Sequence, residues 1–317
     1  MIPFALFGAA GAIGASIAAA LRAAAIPYRV VGRSSPALEQ SFGDDPLAEI
    51  VTWNPDDPAS IQAAAQDVET IIYLVGVPYT DFHLHPVLLQ KTLGGAVDAG
   101  VRQIILIGTL YPFGRSQAAT VNEDHPREPH TFKGRMRKEQ EDVLLAAHAT
   151  GRIRGAILRL PDFYGPNVER SFLHSVFSAI ATGKRAQMVG PIDQPHEFVF
   201  VPDVGPVVLK LAQKPDAYGR AWNLGGAGTI TQREFARQAF AAAGQKPRLV
   251  VAEKWMLRLM GVFNPFLREL VEMHYLFSHP LTVDDSALHE LLGAVPKTFY
   301  DEGIRRCLAA LPSTVSR

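Results

Sequence analysis

Along its first half the chain alternates short apolar runs with amphipathic or alanine-rich stretches. Residues 2–6, 28–31, 49–53, 70–74, 103–107 and 156–160 are short and apolar enough to read as buried strands, and the stretches between them read as helices. This alternation predicts a doubly wound α/β fold, a Rossmann-type parallel sheet with helices on both faces. Beyond Pro161 the pattern changes to an aromatic, Gly- and Pro-containing loop, a helix over 171–182, and a Pro-rich segment leading to a strand over 198–201. The expectation is a smaller C-terminal α/β substrate lobe over the carboxyl edge of the sheet, where ligands of open α/β sheets sit. Residues 1–165 are expected to form the dinucleotide domain, completed by segments near 198–226, with 166–317 mainly forming the lobe. No internal repeat or low-complexity linker separates the two.

Composition narrows the classes. At 317 residues and 48% hydrophobic, the chain can bury one large core or two small ones. Lys plus Arg equals Asp plus Glu at 31 each, so no broad basic field exists to hold nucleic-acid phosphates, and nucleic acid is not an expected partner. The single cysteine, Cys307, cannot close an internal disulfide or pair with a second thiol on zinc, which fits a reducing compartment. The alanine-rich first 25 residues resemble a leader only superficially. A basic start is lacking, glycines interrupt the run, and a strand, turn and helix account for it. No apolar span is long enough to cross a bilayer, so the expected address is cytoplasmic, with no membrane partner. His83 and His85, two apart and without companions, do not make a metal site, and none is expected.

The most specific local pattern is Phe4-Ala5-Leu6-Phe7-Gly8-Ala9-Ala10-Gly11-Ala12-Ile13-Gly14. It reads as a buried strand, a glycine turn through Ala10, and a helix opening at Ala12 and Ile13. Gly8 permits the turn, Gly11 lets backbone approach a pyrophosphate, and Gly14 allows close packing, while the helix N-terminus attracts the phosphate charge. At the end of the second strand the chain has Arg33, Ser34 and Ser35, where an NAD-preferring protein places an acid. A guanidinium and hydroxyls suit a 2′-phosphate, so NADP(H) is the expected cofactor and NAD(H) the alternative.

These features resemble the extended short-chain dehydrogenase/reductases, the NAD-dependent epimerase/dehydratase family, over nearly the whole length. Trp53-Asn54-Pro55 is similar to the family's loop after the third strand, with Asn54 where an Asp usually touches adenine. Val75-Gly76-Val77 is similar to the segment lining the cofactor. Leu158 to Pro166, which includes Pro161, Asp162 and Tyr164, resembles the family's arginine-to-YGP loop. His196 to Val204 and Ala221 to Gly226 resemble later family segments. The resemblance implies an NAD(P)-dependent oxidoreductase with a small-molecule substrate, and a homodimer through the helices after the fourth and fifth strands. It implies substrate contacts from Tyr111, Asp162, Tyr164 and His196. His196 stands where sugar-nucleotide enzymes often carry Arg, which disfavours a diphosphate substrate.

The catalytic segment departs from the pattern. Thr109 fits the family's Ser/Thr, but aligning Gly134 and Glu141 places Lys133 at the tyrosine and Arg137 at the lysine. Lys133, Arg137, Lys138 and Glu141 resemble instead the spacing of the isoflavone and phenylcoumaran reductase branch. On that resemblance Lys133, desolvated beside a nicotinamide and near Arg137, has a lowered pKa and exchanges protons, while Arg137 holds the ribose or a substrate oxygen. Three readings follow. The first is an NADPH-dependent reductase of a small, fairly apolar carbonyl. The second is a nucleotide-sugar epimerase or dehydratase. The third takes the basic run around Lys133 as a solvated face and the protein as a dinucleotide-binding sensor like the NmrA-like proteins. The apolar stretches 255–260 and 263–277 are expected to cap the substrate site with hydrophobic walls, and 298–309 to form a terminal helix with Asp301 and Glu302 at its start.

Overall fold

The computed structural model describes residues 1–312. Twelve strands and thirteen α-helices follow one another along them, with three short 3-10 turns over Tyr79–Asp81, Tyr111–Phe113 and Pro215–Ala217. The strands are β1 (Ile2–Phe7), β2 (Tyr28–Gly32), β3 (Ala48–Thr52), β4 (Val68–Tyr73), β5 (Gln103–Thr109), β6 (Arg154–Leu160), β7 (Asp162–Tyr164), β8 (Ala186–Val189), β9 (Pro195–Phe200), β10 (Ala221–Asn223), β11 (Thr229–Thr231) and β12 (Leu249–Ala252). The helices are α1 (Ala12–Ala23), α2 (Ser35–Phe42), α3 (Pro58–Ala65), α4 (Leu84–Asp98), α5 (Phe132–Ala149), α6 (His174–Thr182), α7 (Val201–Ala212), α8 (Gln232–Ala242), α9 (Lys254–Gly261), α10 (Pro265–Met273), α11 (Tyr275–Ser278), α12 (Ser286–Leu292) and α13 (Tyr300–Ala309).

Seven strands form one parallel sheet in the order β10-β6-β5-β4-β1-β2-β3. Its inner strands carry apolar runs because both faces are covered, while the edge strand β3 stays half-exposed. Leu6, Ile72, Ile105 and Leu158 point to one side, against Ile17 and Leu21 of α1 and Val204 and Val207 of α7. Their neighbours Phe7, Ile71, Ile104 and Ile157 point to the other, against Ile61, Leu89, Leu93 and Leu144 of α3, α4 and α5. α7 lies so close to α1 that a Cβ at Gly205 would sit 2.2 Å from the Ser16 carbonyl oxygen. The chain leaves the sheet after β6 and returns to it as β10, so the seventh strand comes from late in the sequence.

The lobe has a three-stranded sheet, β11-β9-β7, and a two-stranded one, β12-β8. Its core is aromatic, with Phe177, Phe198, Phe200, Phe235, Phe240 and Tyr300. The strand expected over 198–201 runs instead over Pro195–Phe200. Val201 opens α7, where Pro202 fits the first turn and Asp203 complements the helix dipole. α6 ends at Gly183 in the left-handed region, φ 67°.

Candidate active site

The carboxyl ends of β1 to β4 lie side by side and carry the predicted cofactor residues. The chain leaves β1 through Gly8 at φ 87°, and a Cβ there would lie 2.8 Å from the Val75 backbone. The turn is therefore pressed onto the segment after β4, and only glycine fits. At Gly14 a Cβ would meet the Ala9 carbonyl oxygen at 2.1 Å, so α1 packs directly on its own turn. Cβ atoms at Gly11 and Gly76 would meet nothing within 4 Å. Those two glycines face open space, the condition for a ligand to approach backbone. Ala10, Gly11, Arg33, Ser34, Asn54 and Gly76 are exposed along this edge, with Ala12, Ile13, Val75 and Val77 half-buried behind them. No side chain caps the N-terminus of α1, which leaves its first amides for an anion. The edge thus fits a dinucleotide. Ser34 makes no cap bond to α2, so its hydroxyl is uncommitted there. Asn54 shapes its own loop: Oδ1 accepts from Asp56 N at 3.0 Å. Pro161 is buried between β6 and β7.

Thr109 ends β5, and Tyr111 N donates to its Oγ1 at 3.4 Å. The phenol oxygens of Tyr111 and Tyr79 meet at 3.3 Å. Burial first, and also the Asp162 carboxylate, raises the pKa of both phenols. Parallel pairing of β7 with β9 sets Asp162 opposite Phe198, two residues beyond His196 and on the same strand face. His196 Nε2 lies 2.8 Å from Asp162 Oδ2, and its ring packs on Phe198 and Phe277.

Lys133 lies in the first turn of α5, whose N-cap Thr131 accepts from Gly134 N at 3.0 Å. Its side chain is fully buried. Its Nζ donates to Glu269 and, at 2.6 Å, to Glu272 Oε2, while its backbone N donates to Glu272 Oε1 at 3.0 Å. The rings of Tyr79 and Phe82 flank the ammonium. This corrects the sequence expectation. The charges beside the Lys133 ammonium are two carboxylates from α10, and the Arg137 guanidinium expected there turns to other partners.

Arg137 also departs from expectation. Its Nη1 donates to His85 Nδ1 and its Nη2 to the Ile107 carbonyl oxygen, both at 3.1 Å, and the guanidinium is enclosed. It fastens α4, β5 and α5 together through these two contacts. His85, pushed down to about 2 by burial and then by the Arg137 charge, is held neutral as its acceptor. Among the described residues no group of three or more His, Cys, Asp or Glu side chains is placed to hold a metal.

Two further corrections concern the lobe. Tyr164 is buried at 1% exposure among Phe200, Phe235 and Tyr300, in the lobe core rather than on a substrate wall. The stretch 263–277 does set Met273, Tyr275, Leu276 and Phe277 against Tyr79, Tyr111 and His196, but α10 also presents two carboxylates that were not expected there. Sequence reasoning missed Glu269 and Glu272; a pair of acids spaced i, i+3 in an otherwise apolar stretch was the available signal. It also missed the bracing beneath the site. Glu141 accepts from Arg159 Nε at 2.8 Å and Nη2 at 2.7 Å, with Arg127 on the same carboxylate at 3.0 Å.

The sequence profile of the NAD dependent epimerase/dehydratase family matches residues 5–225, from the first strand to the end of the returning one. The chain belongs to this family of enzymes. It is 23% identical over 257 residues to a dTDP-glucose 4,6-dehydratase of Streptomyces griseus, covering 75% of this chain and 77% of that protein. Among solved structures it superposes on a UDP-glucuronic acid 4-epimerase from Bacillus cereus in complex with NAD, with a TM-score of 0.79 at 16% identity over 98% of each chain. It also superposes on a dTDP-glucose 4,6-dehydratase from Streptomyces venezuelae with NAD bound, with a TM-score of 0.80 at 19% identity over 98% and 96% of the two chains. These likenesses agree with the seven-stranded sheet and the lobe. No helix among the described residues is long and apolar enough to cross a membrane.

Proposed function

We propose that this enzyme binds a nicotinamide dinucleotide along the exposed carboxyl edge of β1 to β4 and acts on a nucleotide sugar, as an epimerase or dehydratase. The observation that carries this reading is the polarity of the site. Tyr79, Tyr111, the Asp162–His196 pair and the Lys133–Glu269–Glu272 triad suit a hydroxyl-rich substrate and do not suit an apolar carbonyl. The relatives named above, a 4-epimerase and 4,6-dehydratases, support the same class.

A bound nicotinamide supplies the hydride acceptor or donor. Thr109 and Tyr111 are assigned to hold the substrate oxygen at the end of β5. His196, oriented by Asp162, is assigned the proton exchange, because an imidazole nitrogen can both accept and donate a proton and Lys133 is committed to its carboxylates. Lys133 keeps α10 closed over the site and water out of it.

A second reading, NADPH-dependent reduction, is favoured by Arg33 and Ser34, which offer a cation and a hydroxyl to a 2′-phosphate; the relatives that hold NAD favour the unphosphorylated cofactor. Calorimetric titration with NAD, NADH, NADP and NADPH, for the wild type and Arg33→Ala, decides between them. A loss of about tenfold in NADP affinity on Arg33→Ala, with NAD unchanged, supports the phosphorylated cofactor. Equal effects on both, or none, overturn it. His196→Gln is expected to lower kcat by about a hundredfold or more with cofactor affinity retained; unchanged turnover removes His196 from the chemistry.

A further inference from the structure

The α9–α10 hairpin has two unlike sides. Inward, Leu257, Leu270 and Met273 are buried, and Glu269 and Glu272 grip Lys133. Outward, Trp255 (65% exposed), Leu259, Met260, Val262 and Phe263 (88% exposed) stand in solvent within nine consecutive residues. Single exposed apolar side chains are ordinary, but five so close in sequence form a patch that calls for a partner. Trp255, Leu259 and Val262 follow a helical i, i+4, i+7 spacing, so they line one stripe of α9 that runs into the elbow. The elbow is tight, since a Cβ at Gly261 would lie 2.9 Å from the Arg268 backbone. The ridge is therefore a shaped projection, not a loose loop.

Charge identifies the partner. Between residues 253 and 268 the exposed charged groups are Lys254, Arg258 and Arg268 against Glu253 alone, and the next two acids, Glu269 and Glu272, turn away from this face to pair with Lys133. We infer that the hairpin docks on an anionic lipid bilayer, with Trp255, Leu259, Val262 and Phe263 at the boundary between headgroups and acyl chains and the three cations among the headgroups. Aromatic and aliphatic side chains interleaved with Lys and Arg fit that boundary. A second copy of the chain fits poorly, because a two-fold contact would set three cations of one ridge against three of the other. The docked element is also the helix that closes the candidate site, so the site would open beside the membrane surface.

The test uses the full chain and lipid vesicles. Trp53 and Trp222 are buried, so the fluorescence of Trp255 reports the ridge. With phosphatidylglycerol-containing vesicles the protein is expected to co-sediment and its emission to shift to the blue, with binding weakened by salt and much weaker on phosphatidylcholine alone. Leu259→Ser with Phe263→Ser is expected to weaken binding at least about tenfold, and these exposed positions leave the fold intact. No co-sedimentation, or equal binding to neutral vesicles, overturns the proposal. So does a concentration-dependent dimer that Phe263→Ser abolishes in a protein that ignores vesicles.

Discussion

Replacing Lys133 with methionine keeps the length and apolar stem of the side chain and removes its charge. In the native protein the ammonium is fully buried, while Glu269 and Glu272 are 22% and 25% exposed at their side chains. Removing one member of a buried ionic cluster typically destabilises by about 3–5 kcal/mol, because the remaining charges are left uncompensated. Here two carboxylates would face each other with nothing between them. Since both retain some access to water, α10 can move out and hydrate them, which limits the cost to the lower end, about 3 kcal/mol. Over a 317-residue chain that corresponds to a fall in Tm of roughly 4–5 °C. The more specific expectation is local. Hydrogen exchange followed by mass spectrometry should show the amides of α10 losing protection, while those of β1, β4 and β5 keep it. Adding Glu269→Gln and Glu272→Gln to Lys133→Met should restore much of the protection by removing the repulsion. Unchanged exchange in α10 for the single variant would refute the reasoning, since Lys133 would then not be what fastens the helix.

Other consequences are equally direct. Gly11→Ala should cost under about 1 kcal/mol of stability, its Cβ meeting nothing, yet weaken dinucleotide binding measured by calorimetry; Gly14→Ala, driven into the Ala9 carbonyl, should lower Tm instead. Glu141→Leu leaves Arg159 and Arg127 facing an apolar side chain and should cost about 3–5 kcal/mol in urea unfolding; Arg127 is partly exposed, so the lower end is expected. His85 has a folded pKa of about 2 against its ordinary 6.5, so between these values the unfolded chain binds the extra proton. Its contribution is complete above pH 6.5 and declines as pH falls, at up to about 1.4 kcal/mol per pH unit. His85→Gln, which keeps an acceptor for Arg137 and cannot titrate, should flatten that acid limb in unfolding measured from neutral to acid pH.

The sheet was legible because its information is local. The inner strands β1, β2, β4, β5 and β6 are largely buried apolar runs, and such a run carries its own signal in a window of five to seven residues. Gly8, Gly11 and Gly14 were legible for the same reason, since a turn pressed between a strand and its helix fixes the spacing that the sequence displays. The catalytic segment was not. Lys133 finds its partners on a helix more than 130 residues later, and nothing near Lys133 in sequence announces that charge. Arg137, one helical turn on, was expected beside it, but reach toward His85 and the Ile107 carbonyl took the guanidinium into the interior. Tyr164 shows the limit for aromatic residues: a phenol in a Gly- and Pro-rich loop suits a pocket wall or a lobe core equally, and only the packing of Phe200, Phe235 and Tyr300 decides. Within 263–277 the apolar pattern marks the wall that Met273, Tyr275, Leu276 and Phe277 supply, but it does not single out Glu269 and Glu272, the two acids that engage Lys133.

The central claim is that a dinucleotide-binding edge serves a polar, sugar-accepting site. The measurement that tests it most directly is nuclear magnetic resonance of UDP- and dTDP-glucose incubated with the purified protein and NAD or NADP, alongside an apolar ketone with NADH or NADPH. The account predicts a new sugar product, lost in His196→Gln, and an untouched ketone. Reduction of the ketone with both sugars left intact would contradict it and return the chain to the reductase reading.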